Sequence, residues 1–255
     1  MSQPVVKLFA FPLKLKIPNA YWDRLYGEIL AQGKIEAHSN DFVKLLLSFH
    51  RPQVVHIHWP TILYGSRLAL LRPIRLAGCL GILTIAKLRG DKLVWTLHNY
   101  RDHESGSRLL EKIAVKFLIK FADSIIVHTQ AGQDFLADKH GRTRGVFIIP
   151  HGHYVDFHGP ALPQPDSRLA AELGISQTDQ VFLSLGSIRP YKGLETLIEV
   201  FNTLPANVKL LIAGKAFSQE YLTKLKNLAT SANVIFYLGT IPGDELPKFY
   251  SLAKC

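Results

Sequence analysis

The segment Val181-Phe-Leu-Ser-Leu-Gly186-Ser187-Ile-Arg189-Pro-Tyr-Lys192-Gly193-Leu194 joins a short apolar run to a basic loop. Leu194, Leu197, Ile198 and Phe201 then recur at helical spacing. A strand stopped at Gly186, a loop carrying Arg189 and Lys192, and a helix start make an anion site. Free N–H groups and the positive end of the helix attract phosphate, and two cationic side chains add full charges. Gly186, Ser187, Arg189, Lys192 and Gly193 are therefore the candidate phosphate ligands. A second set is rich in histidine. Ligands of open α/β sheets sit beyond the carboxyl ends of the strands. The polar residues at such places are Asn19, His58, His98, Asn99, His128 and His151, with Gly214 in the second half. A single strand-end histidine most often bonds a loop backbone, but the repeated placement points to one or two facing a ligand. His56 and His58 share one face of a strand, a spacing that suits a metal. No third ligand follows at metal spacing, so no metal site is expected. Nucleophile elbow, P-loop and GxGxxG motifs are all absent from the sequence.

The elements needed to position these residues alternate along the chain. Apolar strand-like runs (Val5 to Phe11, Val54 to His58, Leu93 to Leu97, Ser124 to Val127, Gly145 to Ile149) alternate with helical patterns (Trp22 to Ala31, Phe42 to Ser48, Ser107 to Phe121, Ala131 to Lys139). That rhythm predicts a doubly wound parallel sheet. Gly159 to Ser167 carries three prolines and reads as a linker. The pattern then restarts with strands at Val181 to Leu185, Val208 to Ala213 and Val234 to Leu238, and helices between them. The expected organisation is a domain over 1–160, a linker over 161–178 and a second domain over 179–255. A doubly wound domain has two βαβαβ halves, and the second domain shows one.

The 255 residues are 47% hydrophobic with a net charge of +10. Such a chain buries a sizeable core and favours acidic partners, nucleotide phosphates or anionic lipid. Nucleic acid is not expected, because no nucleic-acid-binding motif appears. Cys79 and Cys255 lie far apart, which fits a reducing compartment rather than a disulfide framework. No signal peptide is legible, and no run reaches ~18 uninterrupted apolar residues. Ile62 to Leu88 comes nearest but carries Arg67, Arg72, Arg75 and Lys87. That density of cations opposes insertion. It suits either core helices with exposed arginines or a helix lying on an anionic membrane face.

In its order of motifs the chain resembles the family 4 glycosyltransferases, which have the GT-B architecture of two facing Rossmann-like domains. The residues that carry the resemblance are Gly186 to Leu194, Leu211-Ile-Ala-Gly214, Val54-Val-His-Ile-His-Trp59, Trp95-Thr-Leu-His-Asn99, Ala122 to His128 and Ile148-Ile-Pro-His-Gly152. The resemblance implies retaining transfer of a sugar from a nucleoside diphosphate sugar to an acceptor hydroxyl, on a glycan or lipid-linked glycan. Lys192 matches the lysine of the family's diphosphate-binding pair. Its arginine stands where this chain has Ser187, and Arg189 lies two residues later. His98 matches a histidine near the donor sugar or reacting centre, so it is the catalytic candidate. Asn19, His58, Asn99, His128 and His151 take the acceptor or cleft side. No cofactor and no metal are implied, and the expected location is cytoplasmic, peripheral on the inner membrane face.

The family also carries a Glu-x7-Glu pair late in its second domain, and this sequence has no match to it. Glu195 and Glu199 follow Lys192 too closely. The expectation is thus a shortened second domain and a chain that is inactive alone. Two other readings remain open at the level of sequence. One is a binding subunit or fragment that needs a partner half-domain. The other is a sugar-nucleotide epimerase of the same architecture, which Tyr191-Lys192-Gly193-Leu194 disfavours.

Overall fold

A computed structural model describes residues 6–12, 20–33, 35–39, 41–49, 53–100, 107–152, 158–160 and 162–254. The chain divides into two compact units, Met1–Gly152 and His153–Cys255.

The first unit is built on a six-stranded, all-parallel sheet. Its strands are β1 Val6–Phe11, β2 Ile35–Ser39, β3 Gln53–Ile57, β4 Lys92–Leu97, β5 Ser124–Val127 and β6 Val146–Ile148. They lie in the order β2-β1-β3-β4-β5-β6. Chain order reverses between β1 and β3, so the topological switch point lies there. The crossover helices are α1 Ala20–Ala31, α2 Phe42–Leu47, α3 Thr61–Tyr64, α4 Arg72–Leu88, α5 Arg108–Phe121 and α6 Gln130–His140. Helix starts are capped as the sequence permits. The side chains of Asp41, Ser107 and Thr129 accept from the N–H groups of Lys44, Leu110 and Gly132. Gly141, in the left-handed region, closes α6. The core groups Trp95, Ile57, Leu83, Leu93, Leu118 and Ile125 with their neighbours. A smaller cluster on the other face of the sheet joins Leu8 and Ala10 to Trp22 and Tyr26 of α1.

β2 was not legible from the sequence. Ile-Glu-Ala-His-Ser is short and holds only two apolar residues, and what makes it a strand is pairing with β1 along five residues. In the Ile62 to Leu88 region, α3 is followed by a 310 turn at Ala69–Leu71 and then α4. The run Ala69–Leu88 is long and apolar enough to cross a membrane by length and composition. Yet α4 buries Leu76, Cys79, Leu83 and Ala86 at intervals of three and four, which makes it a packed surface helix with one face in the core. The turn and the helix leave Leu70, Ile74 and Leu88 exposed at 89%, 69% and 84%.

The second unit carries a three-stranded parallel sheet, β7 Gln180–Leu185, β8 Val208–Gly214 and β9 Val234–Leu238, in that order. With α8 Leu194–Phe201 and α9 Gln219–Leu228 it makes one βαβαβ half of a doubly wound fold. α7 Ser167–Glu172 and α10 Leu246–Leu252 cover the opposite face. Leu169, Val181, Leu211, Phe249 and Leu252 form the core there, while Leu194, Ile198, Leu210, Ile212 and Leu225 form the core under α8 and α9. The stretch 161–178, expected as linker, thus contains a helix packed into this unit. Asp166 caps that helix, accepting from Leu169 N–H, and its own N–H donates to Ser251 Oγ. Three prolines set where α7 begins; they do not keep the segment from packing.

Candidate functional site

In the first unit, parallel strands of similar length bring their carboxyl ends to one edge. His58 follows β3 directly, His98 follows β4, His128 follows β5, and His151 stands three residues past β6. Neighbouring strands in space are neighbours in sequence here, so the histidines form a row. His58 and His98 rings are 5.3 Å apart, His98 and His128 5.1 Å, and His128 and His151 3.8 Å. Tyr21 of α1 lies edge-on to all four, at 5.3 to 6.1 Å. Trp59 stacks on His98 at 4.9 Å. A small pocket beside His58 and His98 is also lined by Trp59, Trp95, Asn99 and Glu111. Asn99 is exposed at this edge. Asn19 lies outside the described residues.

The row is joined by hydrogen bonds. Tyr26 Oη lies 3.0 Å from His56 Nδ1 and 2.5 Å from His58 Nε2. His58 Nδ1 lies 3.0 Å from His98 Nε2, and His98 Nδ1 lies 3.4 Å from His128 Nε2. The far end of the chain is His128 Nδ1 on the Ile149 carbonyl at 2.8 Å, and the near end is His56 Nε2 on Thr96 Oγ1 at 2.8 Å. Burial disfavours charge on His56, His58 and His98. It lowers His98 to about 3, with His128, His151 and His56 adding to the effect, and lowers His56 to about 4. His58 is pushed down further by burial and by the neighbouring histidines. Burial, then the neighbouring Tyr21, also raises the Tyr26 hydroxyl far above its ordinary range. Sequence reasoning missed Tyr21 and Tyr26 as members of this cluster. A Tyr-Trp-x3-Tyr run opening a helix reads as core, and only docking of α1 at the switch point turns it toward the histidines.

His98, His128 and His151 each offer one ring nitrogen within 4.8 Å of the others. The sequence offered the His56–His58 pair for a metal, and the fold groups a different trio. Both nitrogens of His98 and Nε2 of His128 already lie within hydrogen-bond distance of neighbouring histidine nitrogens. The described residues give no clear metal site.

In the second unit β7, β8 and β9 end at Gly186, Gly214 and Gly239, all with positive φ. At Gly214 the requirement is steric as well. A Cβ there would lie 2.0 Å from the Gly186 carbonyl oxygen, so the β7 and β8 ends approach as only glycine allows. The loop after Gly186 turns through a 310 segment, Pro190–Lys192, and enters α8 through Gly193 in the left-handed region. Lys192 Nζ folds back on the Leu185 carbonyl at 3.3 Å and lies beside Gly186. Burial, then the nearby Arg189, lowers its pKa. Arg189 Nε donates to Ser187 Oγ at 3.0 Å, and its guanidinium lies 4.7 Å from the centre of the Phe217 ring. Gly186, Ser187, Arg189, Lys192, Gly193 and Gly214 are therefore brought together at one sheet edge. Glu195 on α8 is occupied structurally, accepting from Tyr221 Oη at 2.7 Å and Lys224 Nζ at 3.0 Å on α9.

Two mostly parallel, Rossmann-like α/β units with a glycine-ended basic loop in the second define a GT-B-type fold. Residues 166–255 match the family described as "Glycosyl transferases group 1". Two curated relatives from Xanthomonas campestris pv. campestris are each 31% identical to the chain, over 78% and 87% of it. Both are named GDP-mannose:glycolipid 4-beta-D-mannosyltransferase. The chain spans 53% and 60% of their lengths. Among solved structures, Anabaena Alr3699/HepE in complex with UDP and glucose superposes with a TM-score of 0.64 at 19% identity, over 97% of this chain and 72% of that one. WaaG, a glycosyltransferase involved in lipopolysaccharide biosynthesis, gives 0.58 at 14%, over 98% and 73%. A Listeria monocytogenes protein described as a putative UDP-N-acetylglucosamine 2-epimerase gives 0.54 at 8%, over 98% and 73%. The chain thus carries a glycosyltransferase-like domain of GT-B type, in a fold that epimerases share.

Proposed function

We propose that this protein takes part in transferring a sugar from a nucleoside diphosphate sugar to an acceptor hydroxyl on a glycan or lipid-linked glycan. The observation that carries the reading is the basic loop Gly186–Gly193 beside Gly214, within the segment that matches the glycosyltransferase family. Negative charge builds on the leaving diphosphate as the glycosidic bond breaks. Arg189, Lys192 and loop N–H groups stabilise that charge from fixed positions, which lowers the barrier without a metal. Lys192 is held on a backbone carbonyl and only partly solvated, so little reorganisation is needed when phosphate arrives. The fold alone would equally suit an epimerase, and the relatives' names favour transfer. Incubation with GDP-mannose and a glycolipid acceptor, read by product mass, tests the reading. C2 inversion of a donor without transfer would overturn it. No transfer despite nucleotide binding would support a binding subunit.

The stereochemical course has two readings. The resemblance to family 4 implies retention, with the leaving phosphate accepting the hydroxyl proton. The relatives' names describe a β-mannoside formed from GDP-mannose, an α-linked donor, and that product is inverted. Inversion needs a base in the protein. The anomeric proton coupling of the product distinguishes the two.

The first unit supplies the acceptor side in this reading, and membrane contact belongs to it. Leu70 and Ile74 are exposed on and beside the start of α4 near Arg67, Arg72 and Arg75, and Leu88 is exposed at its far end. Apolar and cationic groups in one exposed stretch suit peripheral binding to an anionic bilayer. Lys112, Lys116 and Lys120 on α5 add charge.

A further inference from the structure

Ser187 stands directly after Gly186, so the cation that joins Lys192 in the basic loop is Arg189, two residues farther from the strand end. The backbone at Arg189 is extended, with φ −137° and ψ 151°. Between the two, Ile188 is buried and pins the middle of the loop. Ile188 N–H donates to the Lys215 carbonyl at 2.9 Å, and the Ile188 carbonyl accepts from Phe217 N–H at 3.0 Å. Ile188 and Ala216 thereby form a parallel bridge. The loop after β7 is tied to the loop after β8, just past the point where Gly214 meets the Gly186 carbonyl.

Two contacts hold the Arg189 side chain on this clasp. Its Nε donates to Ser187 Oγ at 3.0 Å, which turns the side chain back toward the strand end. Its guanidinium lies 4.7 Å from the centre of the Phe217 ring, which comes from the other loop. A guanidinium at that distance from an aromatic ring is attracted to it. Phe217 is 59% exposed and belongs to neither core of the unit, so packing does not account for a large aromatic side chain here. We propose that Phe217 and Ser187 are positioning residues, which hold the Arg189 guanidinium ready for the diphosphate of a nucleotide sugar. The inference rests on the nucleoside diphosphate reading of the basic loop and needs only the second unit. A loose arginine loses rotamer freedom when it meets phosphate, and one already held on a hydroxyl and a ring has given up part of that freedom beforehand. Both partners are neutral, so they fix the group without offsetting its charge. Burial first, and then the nearby Arg189, disfavours charge on Lys192. An anion bound between the two cations relieves that repulsion.

Calorimetric titration of the full chain with GDP and with UDP tests the role. Phe217→Leu should weaken binding about three- to tenfold, as expected for loss of a partly exposed cation–π contact, and Phe217→Tyr should keep the wild-type affinity. In an Arg189→Ala background, Phe217→Leu should have no further effect, because the ring acts through the guanidinium. Equal losses in both backgrounds, or an unchanged affinity in Phe217→Leu, overturn the positioning role and leave the nucleotide site standing. A second measurement needs no nucleotide. In the 15N-arginine-labelled chain, the Arg189 Nε–H signal, assigned by Arg189→Lys, should exchange slowly with water. In Phe217→Leu with Ser187→Ala it should exchange at the rate of an exposed arginine. Fast exchange already in the wild type overturns the clasp whatever the affinity. If the Nε–H is slow but neither GDP nor UDP binds, the nucleoside diphosphate reading falls and takes the role of Phe217 and Ser187 with it.

Discussion

At the residue scale, the two candidate sites differ in how they manage charge. The second unit presents cations in a loop, whereas in the first desolvation disfavours charge on His56, His58 and His98. Lys192→Ala should weaken nucleoside diphosphate binding by about 1.5–3 kcal/mol, the range for a hydrogen bond to a charged group. Calorimetry with GDP and UDP reads this directly, and unchanged affinity would remove Lys192 from the site. The imidazole row leads to an acid-sensitive fold. Folded His98 and His56 titrate near 3 and 4, below the ordinary value near 6.5. Between those values the unfolded chain binds protons that the folded chain does not, so stability falls as pH drops from about 6.5 toward 4. Urea midpoints measured across that range should decline. In Tyr26→Phe the decline should start from a lower midpoint, because His58 Nε2 and His56 Nδ1 lose a buried partner. A midpoint that stays flat from pH 7 to 4.5 would contradict the neutral-row description.

At the element scale, strand ends and one helix face decide what each unit can do. The close approach of β7 and β8 makes Gly214 irreplaceable on two counts, a φ of 148° and a Cβ position on top of the Gly186 carbonyl. Gly214→Ala should cost more than the ~1 kcal/mol of an ordinary glycine effect and displace the phosphate loop. By contrast, Gly81 in the middle of α4 has open space around it and no positive φ. Gly81→Ala should stabilise α4 by roughly 0.5–1 kcal/mol. Thermal unfolding of the two variants separates a glycine that is needed from one that is tolerated. On α4 and the turn before it, Leu70→Glu with Ile74→Glu should abolish binding to anionic vesicles while leaving the unfolding midpoint nearly unchanged, since both side chains are exposed. Raising salt should weaken wild-type binding, because surface charge is screened within ~8 Å at physiological ionic strength. Vesicle binding that survives both changes would place the contact elsewhere. The strand-end positions of His58, His98, His128 and His151 were legible as pattern, since each follows an apolar run. Their convergence was not, because it depends on strand order across the sheet.

At the scale of the whole molecule, each unit has its own core on both faces of its own sheet. Units of this kind unfold as separate bodies when the surface between them is small. Limited proteolysis is expected to cut between Gly152 and Ser167 and to leave an N-terminal fragment of the six-stranded unit with its fluorescence unchanged. A single cooperative transition with no such fragment would mean that the two units unfold together. The boundary between units was read from sequence at the prolines of Gly159 to Ser167. Proline removes N–H donors and fixes φ, so it marks where regular structure stops, but it carries no information about which side a following helix joins. α7 joins the second unit because Leu169 finds an apolar face on β7 and α10.

Sequence by itself determined what is local. Apolar runs, caps, glycines and the basic loop specify strands, helix starts and an anion-binding turn within a few residues of one another, and the physics behind each acts over that same distance. The α/β alternation then leaves few topologies, and the parallel sheet of the first unit follows from it. The tertiary structure decided what is shared between distant segments. β2 exists because β1 pairs with it, and α4 is a packed surface helix because three-fold and four-fold spaced residues found a core. The histidine row exists because adjacent parallel strands bring their carboxyl ends to one edge, so that His58, His98, His128 and His151 meet across some ninety residues of chain. At one end of that row His128 Nδ1 meets the Ile149 carbonyl, and Tyr21 and Trp59 lie against its rings. Neither can be read along the chain, because a proton's position on an imidazole depends on what faces both of its nitrogens.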